Sequence, residues 1–144
     1  MPVVGRYGFI LWLFIALGMF SGCGGGGSSS SDGTQPPVGG NSLPPKVLSW
    51  APPTSYTDAT PMNPATDLDY FEIYVHESFI FADTDTPQAV VRALDPATHS
   101  LTTSFNLANL SPYVTVGPRY YVSLRAVAIT GLKSEFSSPA SFSF

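Results

Sequence analysis

Apolar and polar residues alternate most regularly between Tyr120 and Ala128. One side of this stretch carries Tyr120, Val122, Leu124 and Ala126. The other side carries Tyr121, Ser123 and Arg125. A period of two is typical of a β-strand with one face buried. The pattern therefore predicts a strand here, with the Tyr120 side turned towards a core.

Shorter runs of the same kind recur from residue 43 to the end of the chain. They predict strands near residues 46–51, 69–75, 78–81, 89–92, 103–107 and 134–144. The inward positions of these runs, with one residue that follows them, are Leu48, Trp50, Phe71, Ile73, Phe105, Leu107 and Leu110. Prolines, glycines and aspartates separate the runs, as turn residues do. About seven short strands with regular turns predict an all-β, immunoglobulin-like sandwich over residues 43–144.

The first 22 residues have the composition of a secretory signal. Arg6 supplies a single positive charge, residues 8–20 are almost purely apolar, and Ser21 and Gly22 are small. Such an order of charged, apolar and small residues marks a signal peptide. The apolar run is shorter than the ~20 residues that a membrane-spanning helix usually needs. The sequence therefore predicts export, with residues 1–22 as the signal.

The end of this segment, Ser21-Gly22-Cys23, resembles the lipobox of bacterial lipoproteins, with Phe20 where that family most often has leucine. In that family the cysteine receives diacylglycerol and becomes the new amino terminus. The resemblance implies that Cys23, the only cysteine of the chain, is a lipid attachment site. Gly24 in place of an aspartate implies sorting to the outer membrane. The alternatives are a plain signal peptide, or an uncleaved anchor, with Cys23 incidental.

Residues 23–42 join this cysteine to the predicted sandwich. The segment is rich in glycine, serine and proline, and Val38 is its one apolar side chain of any size. Such a composition cannot bury enough surface to offset the entropy of ordering it. We therefore expect a disordered tether that spans on the order of 25 Å on average.

Several of the predicted strands resemble those of fibronectin type III domains. Val47-Leu-Ser-Trp50-Ala-Pro-Pro53 is similar to strand B of that family, and Phe71-Glu-Ile-Tyr-Val75 is similar to strand C. Phe105 to Pro112 resembles strand E and the corner after it, and Tyr120 to Val127 resembles strand F. The resemblance implies a tyrosine corner, in which the Tyr120 hydroxyl returns to backbone upstream. Two departures are about four extra residues in the corner, 113–117, and the lack of an evident strand A.

Three outward tyrosines form the candidate binding face. Tyr70 and Tyr74 on one predicted strand, and Tyr121 on its neighbour, could make an exposed aromatic patch. The alternative is cross-strand pairing that only supports the sheet. Trp50 could in principle be a sugar-stacking platform, but its strand phase places it in the core.

Charge and motifs exclude several classes of function. Charged residues make up 11 % of the chain, its net charge is −4, and it has no basic stripe, so no nucleic-acid partner is expected. The two histidines, His76 and His99, have no nucleophile motif beside them, and no phosphate-binding glycine loop occurs. We therefore predict no enzyme activity, no cofactor and no metal site.

These features predict a non-catalytic lipoprotein of the cell envelope, expected in the outer membrane. The membrane would be bound through the lipid on Cys23. The sandwich would act as a binding, adhesion or scaffold module for an unknown protein or polysaccharide. An alternative is a carbohydrate-binding accessory module that assists an enzyme on another chain.

Overall fold

The computed structural model describes the backbone of residues 12–14 and the whole of residues 43–144. These residues form an all-β structure of two antiparallel sheets. The strands are β1 (Trp12–Phe14), β2 (Val47–Ala51), β3 (Leu68–His76), β4 (Ala89–Arg92), β5 (Ser104–Asn106), β6 (Tyr120–Ala128) and β7 (Ala140–Phe142). A four-residue helix, α1 (Pro64–Asp67), precedes β3, and a 3-10 helix, Leu107–Leu110, follows β5.

The first sheet has the strand order β1-β2-β5 and the second has the order β4-β3-β6-β7. The longest pairing joins β3 to β6, with Ile73 opposite Leu124 and Val75 opposite Val122. A register shift between Leu68 and Tyr70 interrupts this pairing near the start of β3. Because partners in this ladder lie directly opposite each other, Phe71, Ile73 and Val75 share one face with Val122, Leu124 and Ala126.

The hydrophobic core combines side chains from both sheets. Phe71, Ile73, Leu110, Val122 and Leu124 are fully buried, and Leu48, Trp50, Leu107 and Tyr120 are buried beside them. Phe105 is only half-buried, because it packs against the edge of this cluster. The ring of Trp50 meets Phe71 edge-on, with 5.1 Å between centroids. Trp50 Nε1 has no hydrogen-bond partner among the described residues, so this side chain contributes through packing.

Three predicted segments differ in the structure. Residues 78–81, predicted as a strand, lie in the loop between β3 and β4. The predicted final strand is regular only over β7, and α1 lies between the predicted strands at 46–51 and 69–75, where no helix was predicted. The helix begins there because the Asn63 side chain accepts a hydrogen bond from the Ala65 N–H, and Pro64 needs no such partner.

The edge of the first sheet is formed by β1. Trp12 lies opposite Ala51 and Phe14 lies opposite Ser49, so β1 runs antiparallel to β2. This strand comes from the segment that the sequence marks as a signal peptide. Within residues 43–144 the structure has six strands, and none of them occupies that edge.

The corner before β6 uses the extra residues of its loop. The Tyr120 hydroxyl accepts a hydrogen bond from the Thr115 N–H at 3.1 Å and lies 3.3 Å from the Thr115 Oγ1. Val114, next to this contact, is buried, and Gly117 has the positive φ of 112° that glycine tolerates. The residues inserted into the corner therefore supply the partner of the tyrosine hydroxyl.

Replacing Tyr120 by phenylalanine should destabilise the fold by on the order of 1 kcal/mol, because the ring stays and a part-buried hydrogen bond is lost. Tyr121→Phe is the matched control, and its effect should be nearly zero, since its half-buried ring lies on the other face of β6. Denaturant midpoints at an unchanged slope measure both. A larger loss for Tyr121→Phe would contradict this role of the corner.

Candidate functional site

The outer face of the four-stranded sheet, on the side away from the core, holds the predicted binding residues. Alternate positions of β3 and β6 form it: Tyr70, Glu72, Tyr74 and His76, with Tyr121, Ser123, Arg125 and Val127. In the ladder, Glu72 lies opposite Arg125 and Tyr74 lies opposite Ser123. All three predicted tyrosines lie on this face, and they differ in how much of each side chain is exposed to solvent.

Tyr74 does not line an exposed surface, and this corrects the prediction. Only 2 % of its area is accessible, because Phe136 packs edge-on against its ring at a centroid distance of 4.9 Å. Phe136 in turn contacts Phe81 at 5.7 Å. We call Tyr74, Phe81 and Phe136 the outer aromatic cluster. Tyr70 and Tyr121 are half-buried, so the predicted row of three exposed tyrosines lacks its middle member.

The loop between β3 and β4 forms one half of this cover. Phe81 stacks on the ring of His76 at 4.8 Å with an angle of 17° between the planes. Asp85 accepts a hydrogen bond from the Ala82 N–H at 2.7 Å, and its carboxylate lies 3.7 Å from His76 Nε2. The Gln88 side chain accepts from the Val75 N–H at 2.6 Å. These contacts fold the loop back over the outer face of β3.

Residues 134–137 form the other half of the cover and run beside β6. The Ser134 Oγ accepts from the Ala126 N–H, and the Ser137 Oγ accepts from the Leu124 N–H, both at 2.9 Å. Ser123 donates its hydroxyl to the Ser137 carbonyl at 2.8 Å. Serine side chains thus replace part of a regular ladder. These hydrogen bonds hold residues 134–137 along β6, so that the Phe136 ring packs against Tyr74.

A buried carboxylate lies beside the cluster. Glu72 is almost fully buried and accepts two contacts from Lys133 Nζ, at 2.7 and 3.0 Å. It also accepts a hydrogen bond from the Tyr74 hydroxyl at 2.6 Å. Burial, and then the hydrogen bond to Glu72, raise the pKa of Tyr74 well above its usual value. The neutral phenol is therefore the form that the fold requires.

Arg125 closes the other side of the cluster. Its Nε donates to the Ser134 carbonyl at 2.7 Å, and one terminal nitrogen lies 2.8 Å from Asp83. The guanidinium lies over the Phe136 ring at 4.8 Å, a cation–π distance. The side chain of Arg125 is therefore held on three sides. Together with Glu72 and Lys133 it stabilises the cover of this face.

The loop between β3 and β4 carries exposed apolar side chains that the alternation of residues did not predict. Phe79 and Ile80 are 63 % and 67 % exposed, at the tip of the loop between β3 and β4. Phe79 makes an edge contact with Tyr121 at 6.2 Å between centroids. The pattern of residues 78–81 predicted a strand, and an apolar run alone does not distinguish a strand from an exposed loop tip.

Two acidic residues in turns, Asp58 and Asp95, accept hydrogen bonds from backbone N–H groups. Asp95 accepts from the N–H groups of Thr98 and Ala97, and these bonds lower the pKa of its carboxyl. Hydrogen bonding to Thr60 likewise lowers the pKa of Asp58. Within the described part of the chain, no group of three or more histidine, cysteine, aspartate or glutamate side chains is placed to hold a metal ion.

The predicted lipid attachment site, Cys23, lies outside the described residues. Among the helices of the described ranges, none is long and apolar enough to cross a membrane. Comparisons of the chain with protein-family models, with curated proteins and with solved structures find no match.

Removing the buried phenol should change how stability depends on pH. Because the pKa of Tyr74 is raised on folding, the stability it contributes is present below its ordinary pKa of about 10 and is lost as pH rises above that value. Tyr74→Phe should flatten this alkaline decline. At neutral pH it should cost about 1.5–3 kcal/mol, since the hydroxyl is bonded to a carboxylate.

Urea unfolding measured from pH 7 to pH 11 tests this dependence. Tyr121→Phe is the control and should keep the alkaline decline of the unchanged chain. Equal slopes above pH 10 in the chain and in Tyr74→Phe would show that the Tyr74 phenol does not ionise with unfolding.

Proposed function

We propose that this protein is an exported lipoprotein, attached to the membrane through Cys23, that displays one fibronectin type III-like module. The module acts without catalysis, as a binding, adhesion or scaffold element of the cell envelope. The observation that carries the proposal is the position of the only cysteine. It follows an apolar run and two small residues and precedes a glycine-rich segment that leads to the sandwich. The resemblance to the lipobox favours the outer membrane, since Gly24 replaces aspartate.

The arrangement of strands supports the fibronectin type III assignment. A four-stranded sheet β4-β3-β6-β7 faces a smaller sheet in which β2 pairs with β5. Trp50 of β2 packs in the core on Phe71 of β3, and the Tyr120 hydroxyl bonds upstream backbone. The bond of the Tyr120 hydroxyl is the one that the resemblance implied for strand F, and the burial of Trp50 is the one that its strand phase predicted. They concern the fold, and a fold of this kind serves many functions.

Processing before Cys23 would remove β1 from the first sheet. The segment Trp12–Phe14 lies within the predicted signal, so the mature chain would keep β2 and β5 as the described strands of that sheet. The pairing of Leu48 with Phe105 and of Ser49 with Ser104 does not involve β1. We therefore expect the mature domain to retain its core.

Because the outer face of β3 and β6 is covered, a partner of the module would contact its loops instead. Glu72 and Lys133 already pair with each other, and Arg125 pairs with Asp83, so these charges are engaged within the fold. Exposed contacts would come from the loop tips instead. The carbohydrate-binding alternative depended on an exposed row of tyrosines, and burial of Tyr74 leaves that row incomplete. We therefore propose only the general binding role.

Cys23→Ser tests the anchor, because it removes the single thiol and leaves the apolar run intact. The mutant should lose all labelling by a radioactive or clickable fatty acid. It should either become soluble or stay as an uncleaved precursor. Several acyl chains, at about 0.8 kcal/mol for each buried methylene, should hold the unchanged protein on membranes. Intact mass after detergent extraction and membrane fractionation measure both properties.

Ser28→Ala is the matched control, because it changes a hydroxyl in the tether without touching Cys23. It should be labelled and fractionated like the unchanged chain. A mature chain with a free thiol, or one that does not start at residue 23, would contradict the lipid anchor and leave a secreted or signal-anchored sandwich.

A further inference from the structure

Several segments meet at one end of the sandwich. His76, the last residue of β3, lies opposite Tyr121 near the start of β6, so the loop after β3 and the corner before β6 leave the sheet at the same end. Lys46, just before β2, places its ammonium on the Ser143 carbonyl and over the Phe144 ring. The Phe144 carbonyl accepts from the Gly117 N–H at 3.2 Å.

We call this end the tether end, and it comprises residues 43–46, 77–88, 111–119 and 143–144. Residue 43, where the described domain begins, follows directly on the predicted tether. The tether therefore enters the domain at this end. The turn between β6 and residue 133, with Ile129, lies at the opposite end, because Ala128 is at the far end of β6.

The tether end carries a set of exposed apolar side chains on two loops. Phe79 and Ile80 lie on the loop after β3, and Tyr113 and Val116 lie on the corner before β6. Val116 is 68 % exposed, and the other three are also largely accessible. Large apolar side chains grouped on the tips of loops commonly mark a surface that contacts a protein or a membrane.

We propose that Phe79, Ile80, Tyr113 and Val116 form a membrane-contact surface that enters the interfacial region of the bilayer holding the anchor. This inference rests on the proposed lipid anchor, because the anchor fixes which end faces the bilayer. A coil of the tether's length spans on the order of 25 Å on average, which keeps the tether end within reach of the lipid surface. Aromatic and aliphatic side chains are the types that partition into this region.

The charge of the tether end indicates whether anionic or zwitterionic lipids would bind it. The chain has a net charge of −4, and the loop after β3 carries Glu77, Asp83 and Asp85. Lys46 and Arg119 are the basic residues of the tether end. This balance gives no electrostatic attraction to anionic lipids, so contact depends on apolar burial and should change little with salt. A zwitterionic bilayer is therefore the surface that fits.

The single cysteine makes a direct test possible. When lipid occupies Cys23, an introduced cysteine is the only free thiol and can carry a polarity-sensitive dye. Full chains bearing Ser78→Cys, beside Phe79, or Thr130→Cys, beside Ile129, are reconstituted into phosphatidylcholine vesicles that contain a headgroup or acyl-chain quencher. The dye at residue 78 should be quenched at least several-fold more than the dye at residue 130, equally at low and high salt.

Two double variants separate the loop tips from general hydrophobicity. Phe79→Ser with Ile80→Ser should abolish the extra quenching at residue 78. Ile129→Ser with Leu132→Ser removes exposed apolar side chains from the opposite end and should leave that quenching unchanged. Circular dichroism of each labelled variant checks that the sandwich is intact. If the Phe79/Ile80 variant fails, the single change Ile80→Ser replaces it, and if the control fails, the single change Ile129→Ser replaces it, each with the same expected outcome.

The outcomes distinguish this inference from the proposed anchor. Intact mass of the same samples reports whether Cys23 carries lipid. The quenching contrast is read on lipid-bearing chains, in which residue 78 or residue 130 holds the only free thiol, and it reports the position of the loops. Equal quenching at residues 78 and 130 would overturn the membrane-contact surface even if lipid is present. A dye at residue 78 that is shielded from water without lipid quenching would also overturn it, in favour of a second copy or a protein partner. A chain that does not bind vesicles would overturn both proposals.

Discussion

The pairing of β3 with β6 is the interaction on which the rest of the structure depends. Its inner face supplies the fully buried Phe71, Ile73, Val122 and Leu124 of the core. Its outer face carries the buried side chains Glu72 and Tyr74; Phe136 packs against Tyr74, and Phe81 packs against Phe136. An antiparallel sheet usually faces water on one side. Here the central pair of strands is covered on both sides, by the core and by the outer aromatic cluster.

Covering the outer face has a consequence for function. The aromatic and charged side chains of β3 and β6 would otherwise form the broadest surface for a ligand, but Glu72 pairs with Lys133, Arg125 pairs with Asp83, and Tyr74 packs against Phe136. The apolar surface that remains available to a partner therefore lies on the loops. Phe79 and Ile80 precede Phe81 on the loop after β3; Phe81 stacks on His76, whereas Phe79 and Ile80 remain exposed to solvent.

The sequence was sufficient to predict the elements whose pattern is local. Alternation gave the phase of β3 and β6, and with it the burial of Ile73 and Val122. Alternation could not predict the burial of Tyr74. It shows on which face of the sheet a residue lies, but it does not show which other residues cover that face. The cover depends on Phe136, which packs against Tyr74 and Phe81 although it is far from both in the chain. Serine-mediated pairing at Ser134 and Ser137 has no recognisable periodicity either.

Native-state hydrogen exchange tests most directly whether the doubly covered pair is the most stable part of the molecule. Amides in β3 and β6, including those of the opposed residues Tyr74 and Ser123, should exchange most slowly, at rates set by global unfolding. Those of the edge strands β4 and β7 should exchange faster. If the central amides exchanged as fast as those of the edge strands, or if the Ser123 amide exchanged before those of β7, the outer aromatic cluster would not protect the sheet, and the β3–β6 pair would not be the most stable part of the molecule.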